Sequence, residues 1–283
     1  MADSEGMCTV VVSLDPDNPV PLLLLGIRDE FTGRPWQPPA RHWAGPEDPE
    51  WAPLIGGRDE QAGGTWLAVH PGATRVGCIL NGRGQAAPPD RRRSRGELPL
   101  RAAAEGQQAL KELHQAPDTL ARYDPFYLVC ADRDSVLMLG WDGVSAALTE
   151  LGPGTHMLTN AGHMYPPGPD NLSKPPDEKA ARFGPRFAAR RPSGDPDPKT
   201  ATIKDAWTGW LTLVGRDGQG EAGAIIVRHE LPDGRVYGTT SVSLVALARD
   251  GRLRYDFQPV PGDSTTWYSV VNVGIDGVWD VGE

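Results

Sequence analysis

The sequence predicts an α+β chain built mainly from antiparallel strands, and three observations carry that expectation. Apolar, β-branched runs separated by dense turn signals recur along the chain as hairpin units. One stretch, residues 100–115, instead spaces its apolar side chains for a helix. The 34 glycines and 28 prolines among 283 residues stay below the roughly 25–30% that marks low complexity, yet they supply many turns. With 39% hydrophobic residues, a chain of this length can bury a proper core.

The first element is a hairpin. Residues 9–14 and 20–27 are apolar runs, and Asp15-Pro16-Asp17-Asn18-Pro19 is the turn between them. Pairing Leu14 with Val20 sets Cys8 across from Gly26 and brings Arg28 and Asp29 out just beyond the same end. A second hairpin joins residues 64–69 to 75–80 through His70-Pro71-Gly72-Ala73-Thr74, in a register that sets Asn81 opposite Gly64. In residues 100–115, Leu100, Ala103, Ala104, Leu110 and Leu113 share a stripe that Pro117 closes. Residues 126–131 and 135–141 form a third hairpin, and residues 156–160 a short strand ending at Asn160. From 165 to 198 proline and charge dominate, with a helical patch at 178–190 broken by Gly184-Pro185; the stretch reads as a surface excursion or as a cover over one face. A helix at 203–214 and late strands at 224–229, 235–247 and 253–260 complete the chain, which has no internal repeat.

A formal charge of −9 argues against a protein that neutralises nucleic-acid phosphates or adheres to an anionic membrane. Cys8, Cys78 and Cys130 have neither CxxC spacing nor an even count, which fits a reducing compartment; Cys78 and Cys130 read as small core residues. The segment before Cys8 carries Asp3 and Glu5 and no basic region, and the Leu22 to Leu25 run is too short to span a bilayer, so a cytoplasmic protein without a transmembrane segment is expected. Arg91, Arg92, Arg93 and Arg95 can grip a phosphate or simply be a solvated charge run. His156 and His163, beside Met157 and Met164, are of types that can ligate haem iron, although no CxxCH motif is present and six scattered histidines need no metal.

The chemistry concentrates at Met7-Cys8. A cysteine at the start of a mature chain carries a thiol and an α-amino group on one residue, and that amine, with a pKa of about 7.7–8, can take the thiol proton near neutral pH. Residues 1–7 are then an extension, and this chemistry requires a downstream start or a cleavage after Met7. Arg28 can hold an anionic or carbonyl oxygen in its planar fork, while Asp29 binds an amine or fixes the arginine; the plainer account is a pair capping a strand end. Gly63 and Gly64 allow close approach of a substrate or backbone, and the amides of Asn81 and Asn160 can donate to a developing oxyanion; a glycine bulge and two turn asparagines are the alternative.

Met7-Cys8, the Arg28-Asp29-Glu30-Phe31 run continuing to Arg34-Pro35, and Gly63-Gly64-Thr65-Trp66-Leu67, with echoes at residues 94–98, 123–128 and Gly238-Thr239, resemble the NRDE family, also called the transport-and-Golgi-organisation-protein-2 family. Ile27 stands where the family's name-giving asparagine belongs, and Thr240 where an arginine is expected. The resemblance implies an N-terminal-nucleophile (Ntn-hydrolase-like) architecture, an αββα sandwich of two antiparallel sheets between helical layers, as one domain over residues 8–283. It implies a cysteine-dependent amide hydrolase or acyl transferase in which Cys8 attacks a carbonyl, Arg28 and Asp29 position it, and Asn81 and Asn160 hold the oxyanion. Gly63, Gly64 and Arg34 are the candidate substrate contacts. The alternative is a non-catalytic carrier of haem or an acyl-CoA-type lipid. The expected partner is a small amide, acyl or haem-like ligand, with no resident cofactor and no metal.

Overall fold

The computed structural model describes residues 8–45, 49–167, 178–215, 224–260, 267–273 and 279–280. The extension at residues 1–7 lies outside them. In chain order the strands are β1 (Thr9–Leu14), β2 (Leu22–Phe31), β3 (Trp36–Ala40), β4 (Ile55–Asp59), β5 (Leu67–His70), β6 (Arg75–Asn81), β7 (Phe126–Ala131), β8 (Val136–Trp141), β9 (Ala146–Leu151), β10 (Gly154–Thr159), β11 (Gly162–Tyr165), β12 (Arg228–Glu230), β13 (Val236–Leu247), β14 (Leu253–Pro259), β15 (Tyr268–Val273) and β16 (Trp279–Asp280). The helices are α1 (Leu98–Glu105), α2 (Gln107–His114), α3 (Pro117–Leu120), α4 (Glu178–Ala188) and α5 (Ile203–Gly215).

Period-two alternation in β1 and β2 generates the layers. Val10, Val12, Leu14, Leu22 and Leu24 face Ile55, Leu67, Val69 and Val129 across an inter-sheet core. Their neighbours Val11, Leu23, Leu25 and Ile27 face the other way, onto Phe183, Phe187, Trp207 and Trp210 of α4 and α5. On the far side, Leu98, Ala102, Leu110 and Leu113 of α1 and α2 cover Leu128, Cys130, Leu137 and Leu139. The result is helix, sheet, sheet, helix. One sheet runs β11-β10-β1-β2-β13-β14-β15-β16 with β12 added on β13, and the other runs β3-β4-β5-β6-β7-β8-β9. Cys78 is buried in the inter-sheet core and Cys130 under α1 and α2.

The first hairpin forms with a register two residues from the expected one. Leu14 pairs with Leu22 and Thr9 with Ile27. Val20 cannot pair with Leu14 because its N–H is taken by the Asn18 Oδ1 at 3.0 Å, and Pro21 has no N–H; the turn closes instead through Asp15 N donating to Pro21 O at 2.8 Å. Cys8 therefore arrives at the level of Arg28 rather than Gly26. The second hairpin has the expected register, Leu67 to Cys78, with its first strand starting at Leu67 rather than Gly64. Asn81 pairs on its other side with Phe126.

Two helices also depart from expectation. Residues 100–115 are split at Gly106, whose φ is 78°; the Arg75 guanidinium occupies the space a Cβ would need, at 2.9 Å, and bonds to the carbonyls of Ala103 and Ala104 at 3.1 and 2.9 Å. Conversely, α4 runs through Gly184-Pro185 unbroken. Phe183 and Phe187, one on either side, are both fully buried, and a side chain at position 184 would strike the Tyr165 ring, 2.5 Å from Cγ. Tertiary packing overrides the local breaker there. The strand expected at 224–229 appears later: Ile226 forms an isolated bridge, and the strand itself, Arg228–Glu230, pairs with β13 and runs one residue past the expected end. Of the excursion at 165–198, residues 168–177 lie outside the described set and residues 178–188 are the core-packed α4. No helix among the described residues is long and apolar enough to cross a membrane.

Candidate active site

Strand β2 ends by placing two charged residues on opposite faces of its sheet. Beside them β13 carries a bulge: Thr239 pairs with Asp29 and Ser241 with Arg28, leaving Thr240 as the extra residue. The Thr240 hydroxyl accepts from Arg28 Nη1 at 2.9 Å and donates to the Arg28 carbonyl at 3.2 Å. Arg28 Nη2 also donates to Asp59 Oδ2 at 3.2 Å, and the guanidinium lies 4.5 Å from the centre of the Trp66 ring. Arg34 Nε donates to the same Asp59 oxygen at 2.6 Å, and Glu30 stands 3.8 Å from both arginines. Burial pushes the Arg28 pKa down, against the charges of Glu30 and Asp59. Burial would raise the Asp59 carboxyl, but the Arg34 hydrogen bond, the Ala62 amide and the two guanidinium charges outweigh it and hold the pKa below the usual carboxylate range.

Cys8 sits half-buried against this group. Its Sγ accepts from the Asp29 N–H at 3.3 Å and its thiol donates to the Asp29 carbonyl at 3.4 Å. Burial first, and then the Asp29 charge, push the thiol up to about 11, with the Asp29 amide, Arg28 and Lys179 opposing. The sulfur is therefore held as a thiol. The Asp29 side chain points the other way, through the sheet to the helical side. There Oδ1 accepts from Thr239 Oγ1 at 2.7 Å, while Oδ2 lies 3.6 Å from the buried Lys179 ammonium at the start of α4. Burial raises the Asp29 carboxyl and Lys179 opposes that rise. Lys179 Nζ also reaches Thr9 Oγ1 at 3.4 Å.

Above Cys8 opens a cleft of about 530 Å³ whose lining includes Arg28, Glu30, Arg34, Asp59, Trp66, Asn81, Arg92, Arg93, Arg95 and Asp124. Of the residues singled out from the sequence, Cys8, Arg28, Arg34 and Asn81 converge on it, while Asp29 meets it only at its main chain; its carboxylate neither binds an amine there nor fixes Arg28, which is held by Thr240 and Asp59 instead. Asn160 follows the end of β10, where Thr9 pairs with Thr159; it comes level with Cys8, and its buried Oδ1 has no hydrogen-bond partner among the described residues, but it does not line the cleft. Gly63 and Gly64 do not line it either. Gly64 is packed on Gly96, whose carbonyl carbon would stand 2.3 Å from any Cβ: the glycine is required by one chain segment pressing on another rather than by an approaching ligand.

Three of the four arginines in the 91–95 cluster line the cleft, each already paired: Arg92 with Asp124 at 3.2 Å, Arg93 with Glu97 at 2.7 Å, and Arg95 with the Pro125 carbonyl at 2.6 Å. Arg91 pairs with Asp90 outside it. The two histidines are hydrogen-bonded to each other and to main-chain carbonyls. His156 Nδ1 contacts His163 Nε2 at 3.1 Å and its Nε2 contacts the Gly152 carbonyl at 2.7 Å. Met157 and Met164 belong to the helix-side core, on the other face of the sheet from His156, which pairs with inward-facing Val12. No group of three or more His, Cys, Asp or Glu side chains among the described residues is placed to hold a metal.

Sequence reasoning missed Asp59, Lys179 and the positioning role of Thr240. Only the sheet crossing brings Asp59, 31 positions along the chain, to Arg28. A polar Asp-Glu pair just before Gly63-Gly64 was the one local signal. Residues 7–187 match the family model described as Transport and Golgi organisation 2. No curated protein matches the chain.

Proposed function

Given that the chain belongs to the Transport and Golgi organisation 2 family, we propose that the Cys8 cleft is the site of an N-terminal-nucleophile amidase or acyl transferase, formed once the Met7–Cys8 bond is opened. The observation that carries this reading is the position of the sulfur at the cleft floor, bonded to the Asp29 main chain with Arg28 beside it.

The freed α-amine takes the thiol proton, and the sulfur attacks the carbonyl carbon of an amide. The oxyanion that forms accepts from the Asn81 amide, with Arg28 as the nearby positive charge. Collapse breaks the C–N bond, and the departing amine takes the proton back from the Cys8 ammonium, leaving a thioester. Water, deprotonated by the same α-amine, then attacks the thioester; the acid leaves and the thiol is restored. In a transferase an acceptor amine replaces that water. Arg92, Arg93 and Arg95 orient an anionic group on the substrate, since each guanidinium has five donors and the bonds above use only a few. The three free cysteines suit the reducing cytoplasm, where we place the protein, as one domain from residue 8 onward.

The raised Cys8 thiol favours a second reading for the chain that keeps residues 1–7: the same cleft binds an acyl-CoA-type or haem-like anion without chemistry. Intact-mass analysis of protein from its native host, with an amide-hydrolysis assay on chains beginning at residue 1 and at Cys8, separates the two. The amidase predicts a mature chain starting at Cys8 and hydrolysis by that chain alone. A retained extension and no turnover by either chain would sink it, leaving the carrier, which predicts a Soret shift or calorimetric heat on titration with haem or acyl-CoA.

A further inference from the structure

A second, much smaller space opens beside the sulfur. Cys8, Arg28, Trp66 and Ile79 line both it and the large cleft, so the reactive residue stands at their boundary. The side space holds about 20 Å³, room for roughly one to two water-sized groups. Its far wall is apolar: Val10, Leu67, Cys78 and Leu80 are 4%, 1%, 2% and 1% exposed. Water would find few partners there, whereas a methyl group fits. Those side chains belong to the inter-sheet core, which is close-packed and does not stretch. Gly26 keeps the space open, because a Cβ there would stand 3.3 Å from Leu67 Cδ1.

We infer that this space is the acyl pocket of the proposed amidase, on which reading it rests, and that it limits the acyl group taken up by Cys8 to about formyl, acetyl or propionyl size. The remainder of the substrate, joined through nitrogen, lies in the polar cleft. The substrate class is a short-chain N-acyl compound with a large, polar, anion-bearing amine portion. A long acyl chain or a flat macrocycle has no place on the sulfur side.

The test uses alkyl methanethiosulfonates from methyl to hexyl. The Cys8 thiolate displaces methanesulfinate and forms a disulfide to the alkylthio group, so only the alkyl length varies. Rates on the full chain are read at the Cys8 peptide by mass spectrometry and divided by those of the urea-unfolded chain. The normalised rate is expected to fall about tenfold or more between ethyl and butyl, the scale on which a tight apolar pocket rejects extra methylenes. Leu67→Ala and Cys78→Ala each shift the fall to longer reagents, and Gly26→Ala shifts it to methyl; Cys78→Ala removes little packing and serves if Leu67→Ala does not fold. A profile flat in alkyl length, no shift in either enlarging variant, or no reaction even with the methyl reagent overturns the pocket. Hydrolysis assays on the chain beginning at Cys8 separate this inference from the one beneath it. Equal turnover of acetyl and long-chain amides refutes the pocket and leaves the amidase standing. Graded labelling with no turnover of any amide overturns the acyl role together with the amidase.

Discussion

Replacing Asp59 with alanine tests the electrostatic core of the site. Its carboxylate accepts from Arg28 at 3.2 Å, from Arg34 at 2.6 Å, and from the backbone amides of Gln61 and Ala62 at 3.1 and 2.9 Å. Arg28 is only 6% exposed, so Asp59→Ala leaves a buried guanidinium whose remaining partners are Thr240, the Trp66 ring and the more distant Glu30. Breaking a buried pair from one side costs about 3–5 kcal/mol. At about 2–4 °C of melting temperature per kcal/mol for a large domain, that is a fall of roughly 6–20 °C. Because the Asp59 carboxyl titrates below its unfolded value of about 3.9, the stability it contributes is complete above that value and drains away as pH falls through the folded one. Urea unfolding of wild type and variant at pH 7 and in steps down to pH 3 should show the gap shrinking with acid. A difference below about 1 kcal/mol at pH 7, or a gap that does not change with pH, would refute the argument that Asp59 anchors Arg28.

Other perturbations have equally definite expectations. Lys179→Met should destabilise the protein by about 3–5 kcal/mol at pH 7.5. The loss should shrink toward pH 5, since a carboxyl raised in the folded state loses stability as pH rises through its folded value; adding Asp29→Asn should recover part of it, and a pH-independent, unrecovered loss would count against the pair. Gly64→Ala drives a methyl into the Gly96 backbone and should cost about 1–3 kcal/mol in urea unfolding, with a near-silent variant arguing against the close approach. Thr240→Val removes both hydroxyl contacts to Arg28 and should cost about 1–3 kcal/mol, which denaturation of the variant beside Thr240→Ser checks through rescue by serine.

The runs at 9–14 and 20–27 marked their strands, but both are apolar almost throughout and buried on both faces, so sequence period could not say which residues face the inter-sheet core; the layering came from the family resemblance. The register of the second hairpin follows from its turn. The first hairpin slipped by two because Val20 spends its N–H on Asn18, a local bond that run-length reasoning does not register. Gly106 and Gly184 show the same limit from opposite sides: one breaks a continuous apolar stripe because Arg75 fills its neighbourhood, and the other sits inside a helix that buried phenylalanines hold together. At the site, Cys8, Arg28 and Asp29 could be gathered from hairpin geometry. Asp59 and Lys179 could not, because their place depends on how a second sheet and a helical layer stack against that hairpin.

The double allegiance of Asp29 has a practical consequence. Its peptide group grips the sulfur on one side of a single strand while its carboxylate reaches an ammonium on the reverse side. A mutation that shifts the start of α4 would therefore be felt at the Cys8 sulfur through the thickness of one backbone, without touching the cleft.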